Sequence, residues 1–356
     1  MLIVILISAF VICFVLSLLL IPLMIKVGYK YNILDLPGQH KRHKKPTPLL
    51  GGVALFITYW VTVGLCLVGF VHSFAHISNS IIFIFLGATI IFLVGLSDDL
   101  SPLSPWIKLT AQIASGLVLY FGGLRIELLT TPFGSVSLGV FSVVLTVGWV
   151  VILTNAINLI DGLDGLASGV SLIGAITLLI IGQLYNEGAL LVFIIILIAF
   201  LSVFLYYNHY PAKMFLGDSG SMQIGYYFAV FSLLFPIKSY TATALYIPLL
   251  ALGVPIMEIV TSFSRRLIAG KNVMKADHRH LFHYLSLLGL SPRKVVLVFD
   301  SLAVIYGFFA LAMFSWNRVI VFSFLVFFMV VIFALFFIFI VKFAPHKKKY
   351  WRKNNK

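Results

Sequence analysis

Residues 158–169 read Asn158-Leu-Ile-Asp161-Gly162-Leu-Asp164-Gly165-Leu-Ala-Ser-Gly169, and they interrupt two long apolar runs. Polar groups in that position belong where a membrane-crossing segment meets water. Asn158 and Asp161 stand three residues apart, which puts both on one face if the helix continues, with Asp164 a step further along. Gly162 and Gly165 carry no side chain beside the carboxylates, so a bulky phosphorylated ligand can approach the backbone there. Asn and Asp are also good helix caps, and a capped helix start would explain the stretch if it stood alone. It does not stand alone, because two further acidic clusters follow in a chain with only 11 acidic residues.

Outward from this stretch the chain is apolar almost throughout. Of its 356 residues 61% are hydrophobic and 10% charged, and the mean hydropathy is +1.10. A soluble domain carries about 25% charged residues. Runs of about 20 apolar residues, each enough to cross about 30 Å of hydrocarbon, recur along the whole length. The expected fold is therefore all-α: a polytopic membrane bundle of about eleven transmembrane helices. The spans fall at about 2–25, 49–71, 81–97, 106–122, 139–157, 166–183, 188–207, 219–236, 242–264, 294–315 and 319–342. The first run has no basic n-region and no small-residue cleavage site, which reads as a retained helix. Residues 1–344 form one membrane domain and 345–356 a basic tail. Cys13 and Cys66 both lie in apolar runs and read as small inert hydrophobes.

The net charge of +14 does not point to nucleic acid, because of where it lies. Arg125, Lys238 and Arg318 fall on one side of the predicted bundle, and the other 22 of the 25 Lys and Arg fall on the opposite side or at its helix ends. The richer side is expected to be cytoplasmic, with the N-terminus outside and the C-terminus inside. The tail from Lys347 to Lys353 then anchors at the inner leaflet. On the outer side, Leu124–Leu138 alternates around Thr131-Pro132-Phe133-Gly134 and predicts a short hairpin.

The same alternation places Asp98, Asp99, Asp161, Asp164 and Asp218 on the cytoplasmic face. Adjacent carboxylates such as Asp98-Asp99 repel and call for a cation. Oxygen donors with little sulfur or imidazole favour Mg²⁺, or Mn²⁺. In Phe215-Leu-Gly217-Asp218-Ser219-Gly220-Ser221 the backbone N–H groups of a helix start are expected to face an anion, with Asp218 beside them for the metal. Two basic loops, one around His40, His43 and Lys44 and one around Lys275, His280 and His283, add donors suited to a diphosphate. A basic loop is ordinarily topogenic and no more. Together, three acidic clusters on one membrane face point to metal-assisted phosphoryl transfer. A transporter, the competing class, places ionisable groups near the bilayer midplane.

These residues carry a resemblance. Pro46-Thr-Pro48 with Gly51-Gly52, Asp98-Asp99, Asn158-Leu-Ile-Asp161-Gly-Leu-Asp164-Gly165, Asn208 with Phe215-Leu-Gly-Asp218-Ser-Gly-Ser221, and Asp277-His-Arg-His280-Leu-Phe-His283 together resemble the polyprenyl-phosphate N-acetylhexosamine-1-phosphate transferases over nearly the full length. The resemblance implies transfer of a sugar 1-phosphate from a UDP-sugar to undecaprenyl phosphate in the bilayer, with release of UMP and with magnesium. It is nearest to the branch that uses UDP-N-acetylglucosamine to start O-antigen, common-antigen or teichoic-acid linkage units, and it leaves room for a homodimer. The muramoyl-pentapeptide branch has a lysine where this chain has Pro102, and three consecutive histidines where it has Leu281-Phe282-His283. The N-acetylglucosamine branch has His-x-His-His, so Phe282 departs from that pattern too.

On this resemblance Asp98 is expected to serve as base or steering carboxylate, and Asp99 and Asp218 to hold the metal, with Asn158 close by. Asp161 and Asp164 are expected to bind the nucleotide-sugar, and Asn208 and Phe215 the uracil. Lys44, His280 and His283 are expected to meet phosphate or sugar hydroxyls, with His280 and His283 sharing a helical face. Phe282, about 100° away on a helix, is expected to pack against the membrane interface or a neighbouring helix. Glu258 matches an acidic position of the family. Asp300 matches no motif.

Overall fold

The computed structural model describes residues 1–37, 45–70, 78–131, 134–185, 188–235, 251–268 and 280–315, together with Ser323, Phe324, Phe328 and Val331. Within them the chain is nearly all helix: α1 Leu2–Lys30, α2 Gly51–Gly69, α3 Ser78–Leu100, α4 Pro105–Phe121, α5 Phe141–Ile160, α6 Leu166–Tyr185, α7 Gly188–Asn208, α8 Gly217–Leu234, α9 Gly253–Ile268, α10 Leu281–Leu287 and α11 Pro292–Ser315. Two small antiparallel ribbons complete it. β1 (Leu34–Asp35) pairs with β2 (Thr47–Pro48), and β3 (Leu128–Thr131) pairs with β4 (Gly134–Ser137) in the register Leu128 opposite Ser137. The second ribbon is the hairpin expected from the Leu124–Leu138 alternation.

Among the described residues, seven helices (α1, α2, α3, α5, α6, α7 and α11) are long and apolar enough to cross a membrane. The other four of the eleven expected spans are not among these seven. α4 is 17 residues long, short of the roughly 20 that a bilayer asks for, and α9 is described over 16 residues. α8 has 18 residues, among them Asp218, Gln223, six Ser or Gly and two Tyr. The expected 319–342 span and the first part of the 242–264 span lie outside the described residues.

Sequence explains which helices are central. α7 is apolar on every side and buried at nearly every position from Leu190 to Phe204, as a helix without a polar face must be in the middle of a bundle. α1 presents Ile3, Val4, Ile7, Val11, Leu18 and Leu19 outward, an apolar strip that belongs against lipid. α8 is also buried along its length, but its hydroxyls and Gln223 are paired inside. The Gln223 amide donates to the Gly52 and Ser219 carbonyls at 3.0 and 2.6 Å.

α8 is the helix that the site is built on, and α2, α3 and α5 pack directly against it. Small residues permit the close approach. A Cβ on Gly95 of α3 would stand 2.5 Å from the Ser219 Cα, and one on Gly52 of α2 would overlap the Ser219 hydroxyl. The loop before α8 is stitched to the start of α2 by backbone bonds: Phe215 N–H to the Pro48 carbonyl at 2.9 Å, Gly51 N–H to Phe215 at 3.1 Å and Gly52 N–H to Leu216 at 3.0 Å. The Pro46–Gly52 stretch thus buttresses the site from behind.

Candidate active site

The last turn of α3 delivers Asp98 and Asp99 in opposite directions. Asp98 accepts the Leu103 N–H at 2.8 Å through Oδ1 and the Lys108 ammonium at 2.7 Å through Oδ2. Asp99 turns to α8, where Oδ1 accepts the Asp218 N–H at 2.7 Å and Oδ2 accepts both the N–H (3.1 Å) and the hydroxyl of Ser219. Two of the unpaired N–H groups of that helix start are therefore capped by a carboxylate from another helix, at the positive end of its dipole. The expectation that these N–H groups face a substrate anion is corrected: the anion is Asp99. Gly217 makes this possible, since it has φ +70° and a Cβ there would lie 2.5 Å from Asp99 Oδ2.

Lys108, in the first turn of α4, bridges Asp98 to Asp218. It supplies one of the positive charges that the acidic pair calls for. The sequence reading missed it. Its signal was a lone lysine in an apolar run just after Pro102-Leu-Ser-Pro105, and its second partner is 110 positions away.

Asn158, in the last turn of α5, donates to the Ser221 hydroxyl at 3.0 Å and also reaches Asp218. The helix stops at Ile160, and Asp161 is its cap with φ −79° and ψ 45°. The single helical face expected for Asn158, Asp161 and Asp164 is thus broken by a turn. The turn does the gathering instead: Asp161 lies under the combined field of Asp218, Asp99 and Asp164. Burial, and after it those three negative charges, push its carboxyl well above the ordinary carboxylate range. Asp164 accepts the Ala212 N–H at 2.9 Å.

Asn208 is 2% exposed. Its Oδ1 accepts the Gly165 N–H and the Ser168 hydroxyl at 3.0 and 2.8 Å, and its Nδ2 donates to the Met214 carbonyl at 2.9 Å. It clasps the acidic turn to the loop before α8, so the expected contact with a base is replaced by a bracing role. Phe215 is half-buried beside it. Lys44, with His40 and His43, lies outside the described residues.

The late loop reaches the same place from the other side. His280 precedes α10 in extended conformation, φ −79° and ψ 160°, so it does not share a helical face with His283. Their rings are still neighbours, with centroids 6.1 Å apart. Phe282 stacks on the His280 ring at 5.4 Å and is 2% exposed. It is buried and not at the membrane interface, and its ring sits over Gly162 in the acidic turn, where a Cβ would overlap its Cζ. The structure therefore joins Asp98, Asp99, Asn158, Asp161, Asp164, Asp218 and Lys108 into one cluster at one end of the bundle, with His280 and Phe282 docked on its rim. Among the described residues, no three acidic, thiol or imidazole side chains are grouped so as to hold a metal unaided.

Comparison with known proteins shows what the chain is similar to. The family profile described as glycosyl transferase family 4 matches residues 81–236, from α3 through α8. A protein of Bacillus subtilis (strain 168), described as a probable undecaprenyl-phosphate N-acetylglucosaminyl 1-phosphate transferase, is 34% identical over 349 residues, covering 97% of this chain and 96% of that one. A decaprenyl-phosphate N-acetylglucosaminephosphotransferase of Mycobacterium leprae (strain TN) is 32% identical over 295 residues, 74% of this chain and 72% of its own. A phospho-N-acetylmuramoyl-pentapeptide-transferase of Staphylococcus saprophyticus is 31% identical over 322 residues, 86% and 97% of the two chains.

Proposed function

The chain belongs to glycosyl transferase family 4, and from that premise we propose that it transfers N-acetylglucosamine 1-phosphate from UDP-N-acetylglucosamine to undecaprenyl phosphate, releasing UMP. The observation that carries the reading is the clustering of five carboxylates, one lysine and one histidine pair at one end of a membrane bundle. Such a cluster suits a polyphosphate that arrives with a divalent cation and meets a lipid head group at the membrane surface. A phosphate oxygen of the lipid attacks the sugar-bearing phosphorus, a new P–O–P link forms, and the bond to the UMP oxygen breaks.

Magnesium fits the donor set, since it is content with one or two carboxylates and takes its remaining oxygens from phosphate and water. Asp218 and Asp99, with Asn158 close by, are the groups that would hold it. When bound, it neutralises charge on the diphosphate. Lys108 offers a second positive charge on the same side. Asp98, fixed by Leu103 and Lys108, steers the incoming phosphate; Asp161 and Asp164 face the nucleotide-sugar; His280 and His283 donate from the rim.

The site opens to the cytoplasm in this reading, because the hydropathy alternation assigns 22 of 25 Lys and Arg to its side or to the helix ends there. Cysteine probes at Ser101 and Asn355 should then label only from the inside; external labelling at Ser101 would remove that orientation. The deciding assay is UMP release by the purified protein with undecaprenyl phosphate, Mg²⁺ and a panel of UDP-sugars. Turnover is expected with UDP-N-acetylglucosamine and little with the UDP-muramoyl pentapeptide. Faster turnover of the pentapeptide substrate would reassign the branch, and no turnover with any UDP-sugar would return the transporter reading.

A further inference from the structure

Glu258 stands on α9 with its side chain 1% exposed, turned toward the start of the late loop. Its Oε1 lies 3.0 Å from His280 Nδ1, and the Leu281 N–H donates to Oε1 and Oε2 at 3.1 and 3.2 Å. A carboxylate has no hydrogen to offer, so Nδ1 carries the hydrogen of that bond. The face of the same imidazole is covered by Phe282, whose ring is only 13° from parallel. His280 is thereby held at one edge and on one face, and Phe282 in turn is seated on the acidic turn at Gly162.

We propose that Glu258 is a positioning residue for the transfer. Through Nδ1 it sets the orientation and the proton placement of His280, so that Nε2, on the opposite edge of the ring, is the atom that meets the diphosphate. Any proton on Nε2 makes the ring a cation, and Glu258 is its counter-charge 3.0 Å away. This rests on the function proposed above. The plainer role, in which Glu258 only caps the Leu281 N–H, is separated from it by one isosteric change. In Glu258→Gln the amide oxygen still accepts the Leu281 N–H, but the amide NH₂ now donates to Nδ1. That moves the ring hydrogen to Nε2 and removes the counter-charge.

The test uses full-length protein, UMP release with UDP-N-acetylglucosamine and undecaprenyl phosphate, and ¹⁵N-histidine spectra. Glu258→Gln is expected to lower kcat about 10- to 100-fold, the usual worth of a partner that orients a site histidine, while KM for the UDP-sugar stays within about twofold. Added to His280→Ala it should cost nothing further, because the two act as one unit. The wild-type spectrum should show His280 protonated at Nδ1, and that of Glu258→Gln at Nε2. An unchanged kcat in Glu258→Gln, or a full additional loss in the His280→Ala background, would overturn the proposal in favour of the capping role. The wild-type spectrum needs no variant: a bare Nδ1 there overturns it by itself. Failure of the wild type to release UMP from any UDP-sugar would instead overturn the function, and this role with it.

Discussion

Gly162→Ala tests how the acidic turn and the late loop depend on each other. A Cβ at this position overlaps Phe282 Cζ and comes within 3.0 and 3.1 Å of Cε1 and Cε2. Ordinary contact begins near 3.4 Å, so either the ring or the turn must yield by about 1 Å. The ring is buried and stacked on His280, and the turn is pinned by Asn208 and by the Asp164–Ala212 bond. Overpacking of this kind costs about 1–3 kcal/mol. A displacement of about 1 Å in a group that positions substrate can cost about 10²-fold in rate. The expected result is a modest fall in thermal stability in detergent with a loss of kcat of about 10²-fold. Phe282→Leu removes the offending Cζ. Alone it should cost on the order of 1–2 kcal/mol from lost packing, but in the double variant it should restore at least about tenfold of the rate lost to Gly162→Ala. The assay is UMP release for the two single variants and the double, with melting curves alongside. If Gly162→Ala were as active as wild type, or equally damaging with Leu at 282, the Phe282–Gly162 contact would not be what seats the loop.

Three other outcomes are expected. Lys108→Gln leaves Asp98 and Asp218 without their shared ammonium; kcat should fall by about 10²-fold, while the Mg²⁺ concentration for half-maximal rate drops, and a raised Mg²⁺ demand would contradict the electrostatic account. Asp218→Asn should raise that demand and cut turnover by about 10²-fold or more with little change in melting temperature, so near-normal turnover at limiting Mg²⁺ would remove its ligand role. Asp161→Asn should abolish most turnover yet raise the melting temperature. The wild-type carboxyl titrates above the ordinary range, so the folded state binds its proton more tightly than the unfolded state does. Its charge therefore destabilises the fold increasingly as pH rises from the ordinary carboxylate range to the raised value, and fully above that. The gap between variant and wild type should widen over that window, and a constant gap would mean that like-charge crowding is not the cause.

Residue order and hydropathy alone determined much of this protein. Long apolar runs leave the backbone no choice in a bilayer but to pair with itself as helix. Counting those runs put Asp98-Asp99, Asp161, Asp164 and Asp218 at one end of the bundle before any packing was known. The hairpin near Thr131 was equally local, an alternation around a turn. What each polar group does there was decided by tertiary structure. Nothing near Asp99 in sequence says that it caps a helix start 119 positions later, or that Lys108 leans on Asp218. The first depends on how closely α3 approaches α8, which Gly95 and Gly217 permit, and the second on α4 packing beside α3. Asn208 looked available to a ligand in the sequence, but once α7 meets the acidic turn its three hydrogen bonds are spent inside the protein. Phe282 read as a departure from a histidine motif; it is a ring fitted to the missing side chain of Gly162, 120 positions away. Hydropathy acts residue by residue and survives in the sequence. Charge pairing, capping and ring seating act between surfaces that exist only after the helices have packed.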